Sequence, residues 1–401
     1  MKQTFSIKKD SMFSLLVWWI WSQSFLVQYV RAIIMQIPFI GAYPDAVLTI
    51  AFVMVMLAAL PSYRITKGDM IFLFAVVGIF TFQWIFHSEA QEYMNRYMVF
   101  FVLEILPLYV VGVSLGTSKN QEKIIHVMYI LSIITLIVDL FYKLVISTPM
   151  SAIASQYEGD MDRAYKILPH CCLIAYHAVK KTNPWNIAFS VIGGIYLLLL
   201  GTRGAALIYL LLITLLLIMG RSSTGAIIRI VLVASAVAAF LMSSLFEATV
   251  LWLSQLAQSL GLSIRIFDKL LSGKLGASSG RDIIQTTLLD AIAKGPVFGY
   301  GLCMDRVLAG NYAHNIAIEL WIEFGIIFGS IILIVLISIL IRGYLKAENG
   351  GEKGLIMVLF FSAFCMLFLS GSYLDNRFLM FLLGMCVCSI RKAKRMRKLS
   401  I

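Results

Sequence analysis

The sequence predicts an all-α polytopic membrane protein, and three observations carry that prediction. The 401 residues are 60% hydrophobic and only 13% charged, against about 25% charged in a typical soluble domain. Apolar runs close to the roughly 20 residues that cross a bilayer recur along the whole chain. Those runs are continuously apolar and do not alternate, which excludes a β-barrel.

Taken in order, apolar windows place about twelve spans: 12–30, 45–61, 69–87, 98–116, 124–146, 164–179, 185–201, 204–220, 229–247, 315–341, 354–371 and 374–390. The sixth is interrupted by Lys166, Pro169, His170 and His177, and only the turn around Thr202-Arg203 separates the seventh from the eighth. The opening residues, Met1-Lys2 through Lys8-Lys9-Asp10, precede an apolar run with no small-residue cleavage site. This predicts a first membrane helix and not a removed signal peptide. The chain then divides into nine helices over 1–247, an extracytoplasmic loop with short helices over 248–314, three helices over 315–390 and a basic tail over 391–401.

The net charge of +12 points to nucleic acid only until the charges are placed. With twelve spans both termini share one side, and that side collects 20 of the 33 basic residues. Each of its short loops carries a lysine or arginine, which by the positive-inside rule makes it cytoplasmic. The tail from Arg391 to Lys398 reads as an anchor on anionic lipid. No nucleic-acid partner is expected. All six cysteines read as small buried hydrophobes, because no disulfide framework or zinc spacing is present.

The opposite face holds Glu89 and Glu92, Glu158, Asp160 and Asp162, and the long 248–314 connection. A long loop among short ones usually has a functional reason. It contains an amphipathic stretch, Leu251 to Phe267, suited to lie along the interface. A helix-like segment follows from Asp282 to Lys294, with Ser278 or Ser279 as candidate cap and Gly295-Pro296 as stop.

Ionisable groups gathered at a membrane surface are costly and mark reaction or transport sites. Arg203, between Gly201 and Gly204, has two readings: a guanidinium fork for a phosphate or diphosphate, or an interfacial anchor. Arg281, at a helix start, suits an anion, or else pairs with Asp282. His314 has the chemistry of a general base for a sugar hydroxyl, or it caps the next helix; Asn315 beside it orients it or meets a sugar. Glu319 and Glu323 are four apart on one helical face, and the role assigned to Glu323 is to hold an arginine in place. The other histidines, His87, His126, His170 and His177, read as structural. No HExxH, Asp-rich pair or P-loop occurs, so no metal or cofactor is expected.

The ordered set Gly201-Thr202-Arg203-Gly204, Gly280-Arg281, Gly299-Tyr300-Gly301 and His314-Asn315 followed by Glu323-Phe324-Gly325 resembles the O-antigen ligase and polymerase superfamily, over roughly residues 200 to 330. That family usually has Ser where Thr202 stands. The resemblance implies a GT-C-like fold of about twelve helices in the bacterial cytoplasmic membrane, with the long loop capping the active site. It implies a donor of undecaprenyl-diphosphate-linked oligosaccharide, its diphosphate held by Arg203 and Arg281. It also implies His314 near the attacking hydroxyl, in a metal-independent inverting transfer.

The leading expectation is a polymerase that joins lipid-linked repeat units into O-antigen, capsule or exopolysaccharide, with a chain-length regulator as a candidate partner. The alternative is the ligase that moves the finished glycan to lipid A–core, which differs in its acceptor. A lipid-linked oligosaccharide flippase stands third, since transporters place charges at the midplane and carry internal repeats, and neither is seen.

Overall fold

The computed structural model describes residues 2–141, 160–200, 202–219 and 280–399, with isolated positions at 225, 228, 233, 248, 252 and 255. Among the described residues all regular structure is helical. The helices are α1 (Lys2–Ile34), α2 (Pro44–Ala59), α3 (Lys67–Phe86), α4 (Gln91–Phe100), α5 (Leu108–Thr117), α6 (Gln121–Phe141), α7 (Asp160–Lys180), α8 (Pro184–Leu199) and α9 (Arg203–Met219). They continue with α10 (Arg281–Lys294), α11 (Met304–Ala309), α12 (Ile316–Lys346), α13 (Gly350–Leu359) and α14 (Arg377–Leu399).

A helix overlaps every expected window except 229–247, which, apart from residue 233, lies outside the described residues. The Leu251–Phe267 stretch, apart from Trp252 and Gln255, lies outside them too. Among the described residues, six helical stretches are long and apolar enough to cross a membrane: Pro44–Ser62, Lys67–Phe86, Ser88–Thr117, Gln121–Phe141, Ile316–Lys346 and Gly350–Phe368. Their outer faces are bare hydrocarbon. Ile71 and Phe74 on α3 and Ile334 on α12 are each more than 60% exposed, as expected of surfaces that meet lipid rather than water.

Local chemistry sets the ends of these helices. Thr66 and Asp69 form a reciprocal capping box at α3. Asn183 and Asn315 cap α8 and α12 with their side chains. Proline occupies the first position of α2 and of α8, where its missing N–H costs nothing. The candidate caps of α10, Ser278 and Ser279, lie outside the described residues; the residue at the N-cap position is Gly280, with φ of 78° and no side-chain bond.

The chain forms two compact units, Met1–Met128 with Ser279–Ile401, and Tyr129–Ser278. In the first, α14 is the central strut, packed along α5 and α12. Small residues make these crossings close. A Cβ on Gly112 would lie 2.1 Å from the Phe381 carbonyl oxygen, one on Gly384 2.0 Å from that of Tyr109, and one on Gly343 2.3 Å from the Cys386 Cβ. Close backbone approach of this kind replaces the hydrophobic drive that lipid cannot supply. Polar pairs then fix α14 to its neighbours. Asp69 of α3 accepts from Arg391 at 2.6 Å and from the Tyr109 hydroxyl at 2.6 Å. Glu104 pairs with Arg377 and accepts from Thr49 at 2.8 Å. Glu352 of α13 pairs with Lys392 at 3.0 Å and accepts from Ser389 at 2.6 Å. A carboxylate inside an apolar helix needs such a partner.

In the second unit α7 packs on α8 and α9. Of the residues that interrupt the sixth apolar window, Pro169 and His170 are buried here, while Lys166 pairs with the exposed Asp162 at 3.2 Å. His170 is fully buried beside the Ser132 hydroxyl at 3.2 Å. Arg163 donates to Asp139 at 2.6 Å, and Asp139 also accepts from the Tyr196 hydroxyl at 2.8 Å. Arg163 and the His170 Nδ1 thus find polar partners within the protein.

Candidate functional site

The site assembles at the N-terminal end of α12, inside the first unit. Its foundation is a break in that helix. Gly325 has φ of 76° and ψ of 163°, outside helical values. The segment around Gly299 and Gly301, with φ of 79° and 106°, lies against the break. The Tyr300 N–H donates to the Ile322 carbonyl at 2.7 Å, and the Gly301 N–H to that of Glu323 at 3.1 Å. A Cβ on Gly325 would sit 1.9 Å from the Val297 carbonyl oxygen, and one on Gly299 2.4 Å from the Gly325 nitrogen. Both positions therefore require glycine, for conformation and for space. The Gly299-Tyr300-Gly301 and Glu323-Phe324-Gly325 motifs are two halves of one backbone junction.

Against this junction lies a buried ionic node centred on Arg306 of α11. Its guanidinium donates to Asp305 at 2.6 Å, to Glu319 at 3.2 Å and to the Ser372 hydroxyl at 2.8 Å. It also stands 4.7 Å over the Tyr97 ring, a favourable place for a delocalised cation. Only 2% of Arg306 is exposed. Burial alone pulls its pKa down, but the Asp305 and Glu319 carboxylates outweigh that and hold the guanidinium charged. The second oxygen of Asp305 accepts the Ala313 N–H at 3.0 Å, which fixes the turn that leads to His314.

Glu323, one turn beyond Glu319, accepts the Cys303 N–H at 2.9 Å and the Tyr373 hydroxyl. The carboxylate that takes an arginine directly is thus Glu319. Glu323 holds the α11 start and the Tyr373 ring instead, with 1% of its surface exposed.

His314 and Arg281 form the neighbouring part of the site. His314 has φ of 54°, an unusual conformation for a residue other than glycine. Its ring lies 4.0 Å from that of Tyr312. Its Nδ1 is buried with no hydrogen-bond partner among the described residues. Burial, then the nearby Arg281 charge, brings its pKa down to about 4, so at neutral pH the imidazole is uncharged. Arg281 opens α10 and donates to the Leu369 carbonyl at 2.9 Å. Asn315 spends its carbonyl oxygen on the Ala317 N–H at 2.9 Å as the α12 cap, and its amide reaches the Phe368 carbonyl at 3.4 Å.

The structure therefore brings together four of the five residues singled out from the sequence: Arg281, His314, Asn315 and Glu323. The fifth, Arg203, opens α9 in the other unit, and its side chain lies outside the described residues. Sequence reasoning missed Asp305, Arg306 and the segment Phe368–Tyr373, which supplies partners to Arg281, Asn315, Arg306, Glu319 and Glu323. A signal was present in Ser370-Gly371-Ser372-Tyr373, a polar run set between two apolar ones. Among the described residues no group of three or more His, Cys, Asp or Glu side chains is arranged to hold a metal ion.

The chain matches no family model and no curated protein. The reading of this site therefore rests on its own residues.

Proposed function

We propose that this protein is a bacterial inner-membrane glycosyltransferase that polymerises undecaprenyl-diphosphate-linked repeat units at the outer face. The proposal includes about twelve spans and cytoplasmic termini. One observation carries it: an imidazole nitrogen, neutral and with no hydrogen-bond partner among the described residues, is held in the field of an arginine at the mouth of an apolar helix. A base and an anion-binding cation together are what transfer from a polyprenyl diphosphate requires.

In the proposed reaction the acceptor hydroxyl oxygen attacks the anomeric carbon, and its proton passes to His314. The bond from that carbon to the diphosphate oxygen breaks, and the electron pair leaves with undecaprenyl diphosphate. Arg281 neutralises the charge that develops on the departing diphosphate, and the same role is proposed for Arg203 from its Gly-Thr-Arg-Gly motif alone. The donor's negative charge also offsets the effect of Arg281 on His314, which makes the imidazole a stronger base when substrate is bound. Asn315 and Glu323 are positioning residues, since their polar atoms are engaged within the protein.

The test is gel analysis of surface polysaccharide and lipid-linked intermediates in cells lacking the gene, complemented by variants. Single repeat units with no ladder identify a polymerase. Long chains retained on undecaprenyl diphosphate, and absent from lipid A–core, identify the ligase instead. Normal polysaccharide in a well-expressed Arg281→Ala strain removes the diphosphate role. Arg281→Lys should also be poorly tolerated if the contact is bidentate.

A further inference from the structure

At the other end of α12, far from His314, α12 and α14 diverge around a cleft of about 600 Å³. Arg342 lies 23 residues beyond Glu319, a path of roughly 35 Å at 1.5 Å per residue. Arg342 and Lys346 line the cleft from α12, and Lys394 and Arg397 line it from α14. The spacing is helical on both sides. Val335, Ile339, Arg342 and Lys346 follow one face of α12, while Ile390, Lys394 and Arg397 follow one face of α14. Two rows of cations thus face each other across open space.

The rest of α14 shows how unusual this is. Arg391 and Lys392, immediately before, are bound to Asp69 and Glu352. Arg342, Lys346 and Lys394 have no acidic or hydrogen-bonding partner among the described residues. Like charges facing each other repel and gain from an anion placed between them.

The cleft does not end at its basic rim. Val335 and Ile339 also line a second cavity, of about 340 Å³, that runs on between α3, α12 and α14. Its walls include Phe72, Ile332, Leu336, Met380 and Leu383. It is entirely apolar and so unfit for a headgroup, while the basic cleft is unfit for a bare hydrocarbon chain. The two volumes form one groove, cationic at one end and hydrocarbon along the other.

We propose that this groove binds an anionic glycerophospholipid, with its phosphate between the two basic rows and an acyl chain along the apolar stretch. Basic pockets between membrane helices suit acidic lipid headgroups. The basic cleft lies at the opposite end of α12 from His314, whereas the apolar stretch reaches Ile316, Phe324 and Tyr373 near the transfer site; the proposal does not depend on the reading given to His314 and Arg281.

The test uses the full chain in detergent and native mass spectrometry, with phosphatidylglycerol and phosphatidylcholine offered in equal amounts. Wild type should retain phosphatidylglycerol selectively. Arg342→Gln with Lys394→Gln should weaken that retention roughly 30-fold, at about 1 kcal/mol for each cation. Arg395→Gln with Lys398→Gln removes the same charge from exposed α14 positions that do not line the cleft, and should change retention less than threefold. Ile339→Trp, which fills the junction of the two cavities while keeping every charge, should also lower retention. Equal losses in the two charge pairs would mean that basic residues attract acidic lipid without a site, and would overturn the proposal. Displacement of the lipid by millimolar inorganic phosphate would overturn it too, because the site would then be one for a phosphate and not a lipid. Equal retention of phosphatidylcholine would do the same.

Discussion

Two arginines, 25 residues apart in the chain, stand in opposite circumstances. Arg306 is sealed in. It meets Asp305, Glu319, Ser372 and the Tyr97 ring, and two of those contacts are to carboxylates. Arg281 donates to the Leu369 carbonyl, and its charge bears on a histidine whose Nδ1 has no hydrogen-bond partner among the described residues. A cation surrounded by its own carboxylates has little left to offer a ligand. A cation beside a neutral base sets that base's affinity for a proton. The difference teaches that in a membrane helix bundle the most buried ionic cluster is an anchor, and that chemistry is to be sought beside it.

The sharpest way to break the comparison is Arg306→Ala. It strands buried carboxylates without their cation, a change that costs about 3–5 kcal/mol. The expected result is loss of the monodisperse protein in detergent, read by size-exclusion yield. A variant that folds normally and loses only activity would reverse the roles of the two arginines. Gly325→Ala comes next. Its φ of 76° carries a strain of about 1–3 kcal/mol, and its Cβ would overlap Val297. The thermal midpoint should fall, and activity should fall with it.

His314→Ala should separate the two regions. It should reduce transfer by roughly 10²–10⁴-fold and leave yield and thermal midpoint close to wild type. A parallel loss of folded protein would instead assign His314 to the scaffold. Asn315→Ala removes a cap that contributes about 0.5–2 kcal/mol, and a modest drop in midpoint is expected.

The smallest effect is one of pH. The folded-state pKa of His314 is near 4, below its ordinary 6.5. Between those values the unfolded chain takes up a proton that the folded protein does not, so stability is lost as pH falls through that window. The decline in midpoint from pH 6.5 to 4 should be shallower in His314→Asn than in wild type. An unchanged slope would mean that the imidazole is not held neutral by its surroundings.

Much of the architecture was legible because apolar length and turn chemistry are local. The stop at Gly295 sits in the sequence where the structure uses it, whereas the cap of α12, read as an alternative role for His314, is Asn315. Among the site residues, His314 and Arg281 were visible as polar side chains bordering apolar runs. The Arg306 node was not visible, because Ser372 and Tyr373 lie more than 50 residues beyond Glu319, and no short-range pattern links them. Glu323 was read as the carboxylate that holds an arginine, and the structure gives that contact to Glu319, because the partner could not be chosen from spacing alone. Glu319 and Glu323 share a face, and only the path of the Ser372–Tyr373 segment decides which of them meets the guanidinium. The glycine motifs drew notice only as parts of the family resemblance, whereas their use is mutual contact.

That contact bears on how the protein is built. The break at Gly325 turns the Ile322 and Glu323 carbonyls away from their own helix, and each such group left unsatisfied in hydrocarbon costs several kcal/mol. Tyr300 and Gly301 supply the missing donors. Both precede α12 in the chain, so a ribosome delivers them first. The lock is therefore made before the key arrives, and α12 meets its donors as it enters the membrane.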